Sequence, residues 1–426
     1  MTTQNGSVVS GLALRPLAAA EAFCVHYDAV LGFNFSMAFT FQGKLPHDRW
    51  RQALQALQRR HPLLRAGIEM DGEQGPVFVD APHRQIEIQF APRNSGSDWQ
   101  RVMEEEFTRV FHLGGPLLRA NLLEDDFGCD LILCAHHSLL DAIGMIALGR
   151  DLLLALSGTE LPELPLPASI DDHLARIRQQ GDFPEGLAHA IEDWEAALAA
   201  LPPRKVQRHT GRGVCHVSAL RIEPEQTEQF LRSARKRGAT LGAALLAALA
   251  IAVGRDRQAA GDADIRLAVP IDVRPFLGND NDCVLAAFTS RTYLPLPHPG
   301  FWPSAGHLHA CVSPFRSLVE THASTIRLKA LLAANLPPEV MLDVLFAHAG
   351  TDICVSNLKS ADIRTGGSGL SLQSVWGPSI LTGSLNGHYV GSATSNGALH
   401  LTYSSHAPME GLLDEMQRLL VEATQL

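Results

Sequence analysis

The chain has few cysteines, and none of them are paired in sequence. Seven occur in 426 residues, at positions 24, 129, 134, 215, 283, 311 and 354, with no C-x-x-C. An odd number at wide spacing argues against a disulfide framework or a zinc site and fits a reducing, cytoplasmic setting. Cys134 and Cys354 lie in apolar runs and read as small core residues. Long apolar runs are also missing. The longest, such as Leu241 to Val253, are too short and too alanine-rich to cross a bilayer. The polar stretch Met1 to Ser10 lacks the basic-then-apolar order of a signal peptide. There is no excess of positive charge. The formal net charge is −10, which argues against broad affinity for nucleic acid or membrane lipid.

Several catalytic and binding signatures are absent too. No G-x-S-x-G is present, so a serine nucleophile elbow is unsupported. Thr365-Gly366-Gly367-Ser368-Gly369 matches neither a P-loop nor a dinucleotide fingerprint and reads as a flexible loop. His209 with His216, and His307 with His309, lack a third ligand at diagnostic spacing, so no metal site is expected. Two basic groups stand out locally: Arg204-Lys205 with Arg208 and Arg212, and Arg232 with Arg235, Lys236 and Arg237. Solvated linker and helix faces account for both better than a binding patch does, although an acidic chain can still dock an acidic carrier through such patches.

What is present is ordinary globular composition, 46% apolar and 19% charged, at a length that favours two domains. Strands and helices interleave along both halves. A short helix is expected over 15–27, a strand over 33–41, and an amphipathic helix over 45–60 with Trp50, Leu54 and Leu57 on one face. His61-Pro62 stops that helix. A hairpin over 66–79 turns at Asp71-Gly72, a helix spans 99–111, and strands span 117–123 and 130–134. Helix is expected over 143–156 and, with a break at 181–184, over 171–201. Pro202-Pro203 and the residues after it mark a domain boundary. The second half repeats the alternation. Strands are expected at 217–222, 265–270, 284–296, 352–358, 370–377, 386–393 and 398–404. Helices are expected at 225–237, 241–254, 306–334 and 409–424.

The most informative stretch is Ala135-His136-His137-Ser138-Leu139-Leu140-Asp141-Ala142. It follows the buried-strand pattern Leu131 to Cys134 and opens an apolar helical run. A strand end fixes position, a helix N-terminus supplies N–H groups, and a histidine exchanges a proton near neutral pH. That combination suits a general base. On the structural alternative, two histidines end a buried strand and Asp141 only charges a helix N-terminus.

The same residues resemble the signature of the condensation-domain and CoA-dependent acyltransferase superfamily. This superfamily includes nonribosomal peptide condensation domains, polyketide-associated acyltransferases and chloramphenicol acetyltransferase. Four further segments resemble it in order along the chain: Arg60-His61-Pro62-Leu63-Leu64-Arg65, Asp193-Trp194, Val269-Pro270-Ile271-Asp272-Val273-Arg274-Pro275, and Val355-Ser356-Asn357-Leu358. The resemblance implies an α/β fold of two chloramphenicol-acetyltransferase-like lobes in a V, residues 1–203 and 204–426, with a central tunnel. It makes His137 the base, His136 a supporting polar residue, and Asp141 a structural partner paired with Arg274. The N–H after Asp141, that of Ala142, would face the developing oxyanion. Ser356, Asn357 and Trp376 either line the tunnel or end strands and fill the core. One departure is Ala142, where the family usually has glycine. The Asp-Phe-Gly-Trp-Gly run of plant-type members is also missing.

On that resemblance the expected activity is that of a stand-alone acyltransferase. It would join an acyl thioester to a small hydroxyl or amine acceptor without a covalent acyl-enzyme, with an ester favoured over an amide. The donor would carry a phosphopantetheine arm, on an acyl- or peptidyl-carrier protein or as CoA, and the enzyme itself would bind no cofactor. The alternatives are amide-forming condensation or epimerisation in an assembly line, and an inactive docking homologue.

Overall fold

A computed structural model describes residues 11–71, 75–181, 186–192, 213–259, 265–278, 288–293, 300–361, 363, 367–381 and 383–425. The first half runs β1 (Ala13–Pro16), α1 (Ala19–Leu31), β2 (Asn34–Gln42), α2 (His47–Arg60), β3 (Ala66–Asp71), β4 (Gly75–Asp80), β5 (Glu87–Pro92), α3 (Asp98–Thr108), β6 (Leu118–Glu124), β7 (Gly128–His136), α4 (Ala142–Leu156) and α5 (Ile170–Gln179). The second half runs β8 (His216–Ile222), α6 (Pro224–Lys236), α7 (Leu241–Ala259), β9 (Leu267–Asp272), β10 (Phe288–Tyr293), α8 (Phe301–Val312), α9 (Leu318–Ala333), α10 (Pro338–Ala349), β11 (Ile353–Ser360), β12 (Ser371–Ile380), β13 (His388–Ser395), β14 (Ala398–Ser405) and α11 (Leu412–Thr424).

β7 is apolar along most of its length because both of its faces are covered; every residue from Gly128 to His136 is buried. It lies in a five-stranded sheet of order β12-β2-β7-β6-β5, antiparallel to β2, with Asn34 opposite His136. A second sheet has the order β10-β9-β11-β13-β14-β8, and a small third sheet is β1-β4-β3. One core, with Phe35, Phe39, Leu133, Leu139 and Leu148, packs against the five-stranded sheet. Another, with Leu245, Leu249, Val390, Leu401 and Leu420, packs against the second. Among the described residues no single helix is long and apolar enough to cross a membrane.

β12 does not stay with its neighbours in the chain. It leaves β11, pairs antiparallel with β2 in the first sheet, and the chain then returns to β13 in the second. Side chains tie it to the second sheet as it passes: Asn396 Nδ2 donates to the Leu372 carbonyl at 2.7 Å, and Ser404 Oγ to the Ile380 carbonyl at 2.9 Å. The backbones meet at Gly391. A Cβ there would overlap the Pro378 carbonyl oxygen and lie 2.8 Å from the Gly377 carbonyl carbon.

Several elements differ from expectation. The first helix begins at Ala19, because β1 occupies residues 13–16 and the Glu21 carboxylate accepts the Ala18 N–H at 2.7 Å. The long helix expected over 306–334 is two helices. Ser313–Phe315 forms a single tight turn between them, where Pro314 removes a helical donor. β5 and α10 had no expectation at all. Helix resumes at 187–192 after the break near Gly181. The boundary at 203/204, Asp193-Trp194, the group Arg204 to Arg212, His209, the turn residue Gly72, and residues 365–366 lie outside the described residues, as do parts of the strand expected over 284–296.

Candidate active site

The site is built where β7 runs out. The His136 N–H donates to the Leu117 carbonyl and the His137 N–H to the Phe33 carbonyl, each at 3.0 Å, so the last strand residue and the first turn residue are both held by backbone bonds. The chain then turns tightly, with the Leu139 N–H donating to the His136 carbonyl at 3.0 Å. Two residues later Asp141 caps α4, its Oδ1 accepting the Gly144 N–H at 2.9 Å. From Gly128 to Asp141 every residue is buried except His137, which keeps intermediate exposure.

The two histidines have different environments. His136 is 0% exposed. Its Nδ1 accepts the Ser138 N–H at 3.2 Å and lies 2.6 Å from Ser138 Oγ, so Nε2 carries the proton of the neutral ring. His137 is the opposite tautomer. Its Nδ1 lies 3.2 Å from the Leu140 carbonyl, which can only accept, so Nδ1 carries the proton and Nε2 the lone pair. The imidazole sits between two phenylalanine rings, with the Phe33 centroid at 5.1 Å and that of Phe35 at 4.8 Å. Burial pushes its pKa down from 6.5 to about 4, against the opposing pull of Asp141, and the neighbouring His136 adds slightly to the fall. At neutral pH the ring is therefore uncharged and able to accept a proton.

Asp141 faces away from this chemistry. Arg274 grips it with both ends of its guanidinium, Nη1 to Oδ2 at 2.9 Å and Nη2 to Oδ1 at 2.8 Å. The side chains are 8% and 5% exposed, which makes this a buried bidentate pair. Asp272 Oδ1 adds a third contact to Nη1 at 3.1 Å. Burial opposes the charge on Arg274, but Asp141 and then Asp272 outweigh it and hold its pKa above the ordinary arginine value. The pair joins α4 of the first half to the turn after β9 in the second.

Ala142 is the first helical residue of α4, so its N–H has no carbonyl within its own helix to bond. The described non-glycine residues with positive φ are Asn335, Lys359 and Asn396, so alanine at 142 carries no backbone strain where a glycine was expected. Ser356 and Asn357 lie on β11 with intermediate exposure. The Asn357 side chain abuts the start of α7, its Nδ2 lying 3.2 Å from where a Cβ on Gly242 would sit. Trp376 packs in the way that the core alternative describes. Its ring stacks on Trp99 at 5.1 Å and meets His400 edge-on at 4.6 Å, in the apolar cluster under α3. Pairing with Ala38 rather than Phe35 turns it to the face of β2 opposite His137. His307 lies 3.3 Å from the Cys311 thiol one helical turn along α8, and among the described residues no three ligands converge for a metal.

Residues 27–290 match the family model for the condensation domain. The chain belongs to the condensation-domain family. The match reaches from α1 through both histidines to Arg274, so every member of the buried pair and its loop falls inside it. Among curated relatives of this condensation domain, tyrocidine synthase 3 of Brevibacillus parabrevis is 28% identical over 265 residues, 59% of this chain. The domain spans only 4% of that protein and 10% of bacitracin synthase 2 of Bacillus licheniformis, to which it is 24% identical over 258 residues. Solved structures match along the whole chain. Polyketide synthase associated protein 5 from Mycobacterium tuberculosis superposes with a TM-score of 0.66 at 18% identity, covering 98% of this chain and 100% of that one. The first condensation domain of the calcium-dependent antibiotic synthetase superposes with a TM-score of 0.70 at 15% identity, covering 99% and 97%. The fold is thus the α/β arrangement of two chloramphenicol-acetyltransferase-like lobes.

The sequence reading missed the flanking rings. Phe33 and Phe35 read only as strand residues. Their i, i+2 spacing beside a strand that ends in histidine was the available signal, and it needed the pairing of β2 with β7 to be interpretable.

Proposed function

We propose that this condensation domain is an acyltransferase that joins an acyl thioester to a hydroxyl or amine acceptor, with His137 as general base. One observation carries the reading. A neutral imidazole, with Nδ1–H fixed on the Leu140 carbonyl and its other nitrogen holding the lone pair, is the partly exposed residue in an otherwise buried run. His137 Nε2 takes the acceptor's proton as the acceptor attacks the thioester carbonyl. The carbonyl electrons move onto oxygen, near the start of α4, where the Ala142 N–H is suited to meet the charge. The intermediate then collapses, the C–S bond breaks, and the thiolate takes the proton back from the imidazolium. Asp141 and Arg274 stay outside these transfers and hold the loop.

The donor carries a phosphopantetheine arm, on a carrier protein or as CoA, in keeping with the similarity to tyrocidine synthase 3 and to a protein named as a hybrid PKS-NRPS synthetase. An ester is the favoured product. The test offers acyl-CoA and acyl-carrier donors with paired alcohols and amines, and follows free thiol release and product mass. His137→Ala is expected to lower turnover by about 10²–10⁴-fold with the fold intact. Equal turnover by mutant and wild type sinks the assignment of the base. Amide formation alone transfers the reading to peptide condensation, and wild-type inertness toward every donor favours a docking homologue.

A further inference from the structure

We propose that Asp28, on α1, is a positioning residue for the His137 imidazole, acting through Phe33. This rests on His137 being the base. Asp28 is buried and belongs to none of the segments that the sequence singles out. Its carboxylate meets the site from behind in two directions. Oδ1 accepts the Phe33 N–H at 2.8 Å. Oδ2 lies 3.7 Å from Nε2 of His136, the ring nitrogen that carries the proton. The Asp28 main-chain carbonyl also accepts the Gly32 N–H at 3.3 Å, and Gly32 has φ of 80°, so the α1–β2 turn is closed around this one residue.

Phe33 passes that anchorage to His137 twice. Its carbonyl accepts the His137 N–H at 3.0 Å, and its ring lies 5.1 Å from the imidazole. Both polar groups of the Phe33 main chain are thereby used: the N–H on Asp28, the C=O on the base. The ring supplies one of the two apolar walls whose burial keeps the imidazole neutral. Losing the carboxylate frees the Phe33 N–H, lets the turn relax, and admits water beside the ring. The base then moves out of line and its affinity for protons returns toward that of a solvated histidine. Displacements of about 1 Å in a catalytic group are enough to cost about 10²-fold in rate.

The test compares Asp28→Ala, Asp28→Asn and Phe33→Ala in the whole chain by two readouts. One is kcat and KM for thioester transfer. The other is the pKa of His137 from carbon-13 NMR of histidine-labelled protein, with the signal assigned by its loss in His137→Gln. Asp28→Ala is expected to lower kcat by about 10-fold or more with KM nearly unchanged, and to raise the His137 pKa from about 4 toward 6.5. Asp28→Asn keeps an oxygen for the Phe33 N–H and is expected to recover most of kcat and the low pKa. Should Asp28→Ala fail to fold, Phe33→Ala decides, with the same rise in pKa expected. Unchanged pKa and kcat in Asp28→Ala or Phe33→Ala, measured below their melting temperatures, overturn the proposal, as does equal loss in the alanine and asparagine variants. The NMR titration needs no turnover. If His137→Ala keeps full activity while the pKa still moves, the base assignment has failed and the positioning geometry has not.

Discussion

Removing Asp141 breaks two interactions at once, and their sizes can be separated. The carboxylate caps α4 through the Gly144 N–H and neutralises Arg274 through two hydrogen bonds. A lost N-cap costs about 1 kcal/mol. Stranding one partner of a buried ion pair costs about 3–5 kcal/mol. Asp272 still holds Nη1 at 3.1 Å, which moves the second figure to the lower end. Asp141→Ala is therefore expected to cost about 4 kcal/mol. An unfolding entropy near 2.1 cal/mol/K per residue makes that about 1 °C per kcal/mol for 426 residues, so the melting temperature should fall by about 4 °C. Asp141→Asn keeps the cap and should recover about 1 kcal/mol of it. The double variant Asp141→Ala with Arg274→Leu removes the stranded charge along with its partner. It should be less destabilised than the two single variants added together, by about 2–3 kcal/mol. The assay is thermal and urea unfolding of wild type, Asp141→Ala, Asp141→Asn, Arg274→Leu and the double variant. Strict additivity, or Asp141→Ala within about 1 °C of wild type, refutes the paired geometry and with it the claim that this clamp fixes the His137 loop.

Three other outcomes follow from the geometry. Burial holds His137, His388 and His400 near pKa 4, against 6.5 in the unfolded chain. The unfolded state takes up protons first as pH falls, so the stability these groups contribute is complete above pH 6.5 and lost between 6.5 and about 4; melting curves across that range should show the decline, and a flat profile contradicts it. Because His137 stays neutral down to that range, kcat/KM for thioester transfer should show no acid limb near pH 6.5, only a fall toward pH 4; a limb at 6.5 would place the base in a solvated setting. Gly391→Ala should yield little soluble protein, since its methyl group meets the Pro378 carbonyl. Gly306→Ala, on α8 with nothing nearby, should stay within about 1 kcal/mol of wild type; equal damage by both dismisses the close crossing.

Local signals carried the reading as far as local physics decides the outcome. The strand-to-helix junction at His136 to Ala142 was readable because an unbroken apolar run, a capping aspartate and an apolar helix follow one another. Arg274 became a partner for Asp141 only through resemblance. The two lie 133 residues apart in the chain, and no spacing rule reaches that far. β5 escaped notice because it lies at the sheet edge, where Glu87, Gln89 and Pro92 face water and blur the alternation. α10 was missed although Met341, Leu342 and Phe346 bury against Tyr27 and Leu31. For Trp376 both tunnel and core stayed open because which face of a strand a side chain takes depends on register, and the register of β12 is set by a partner more than 300 residues earlier. Asp28 gave no sign at all, and the spacing of Phe33 and Phe35 could not be interpreted without the pairing of β2 with β7, since each matters only through what stands beside it in space.

The exchange of β12 has a consequence for how the molecule is made. Until residues 371–380 leave the ribosome, β2 can pair only with β7, and its other side is an open row of N–H and C=O groups beside Phe35, Phe39 and Phe41. The histidine loop therefore belongs to a sheet that is finished only after residue 380 has been made. A fragment ending at residue 212, however complete its motif, should come out of the cell as aggregate, and supplying residues 213–426 as a separate polypeptide should rescue it.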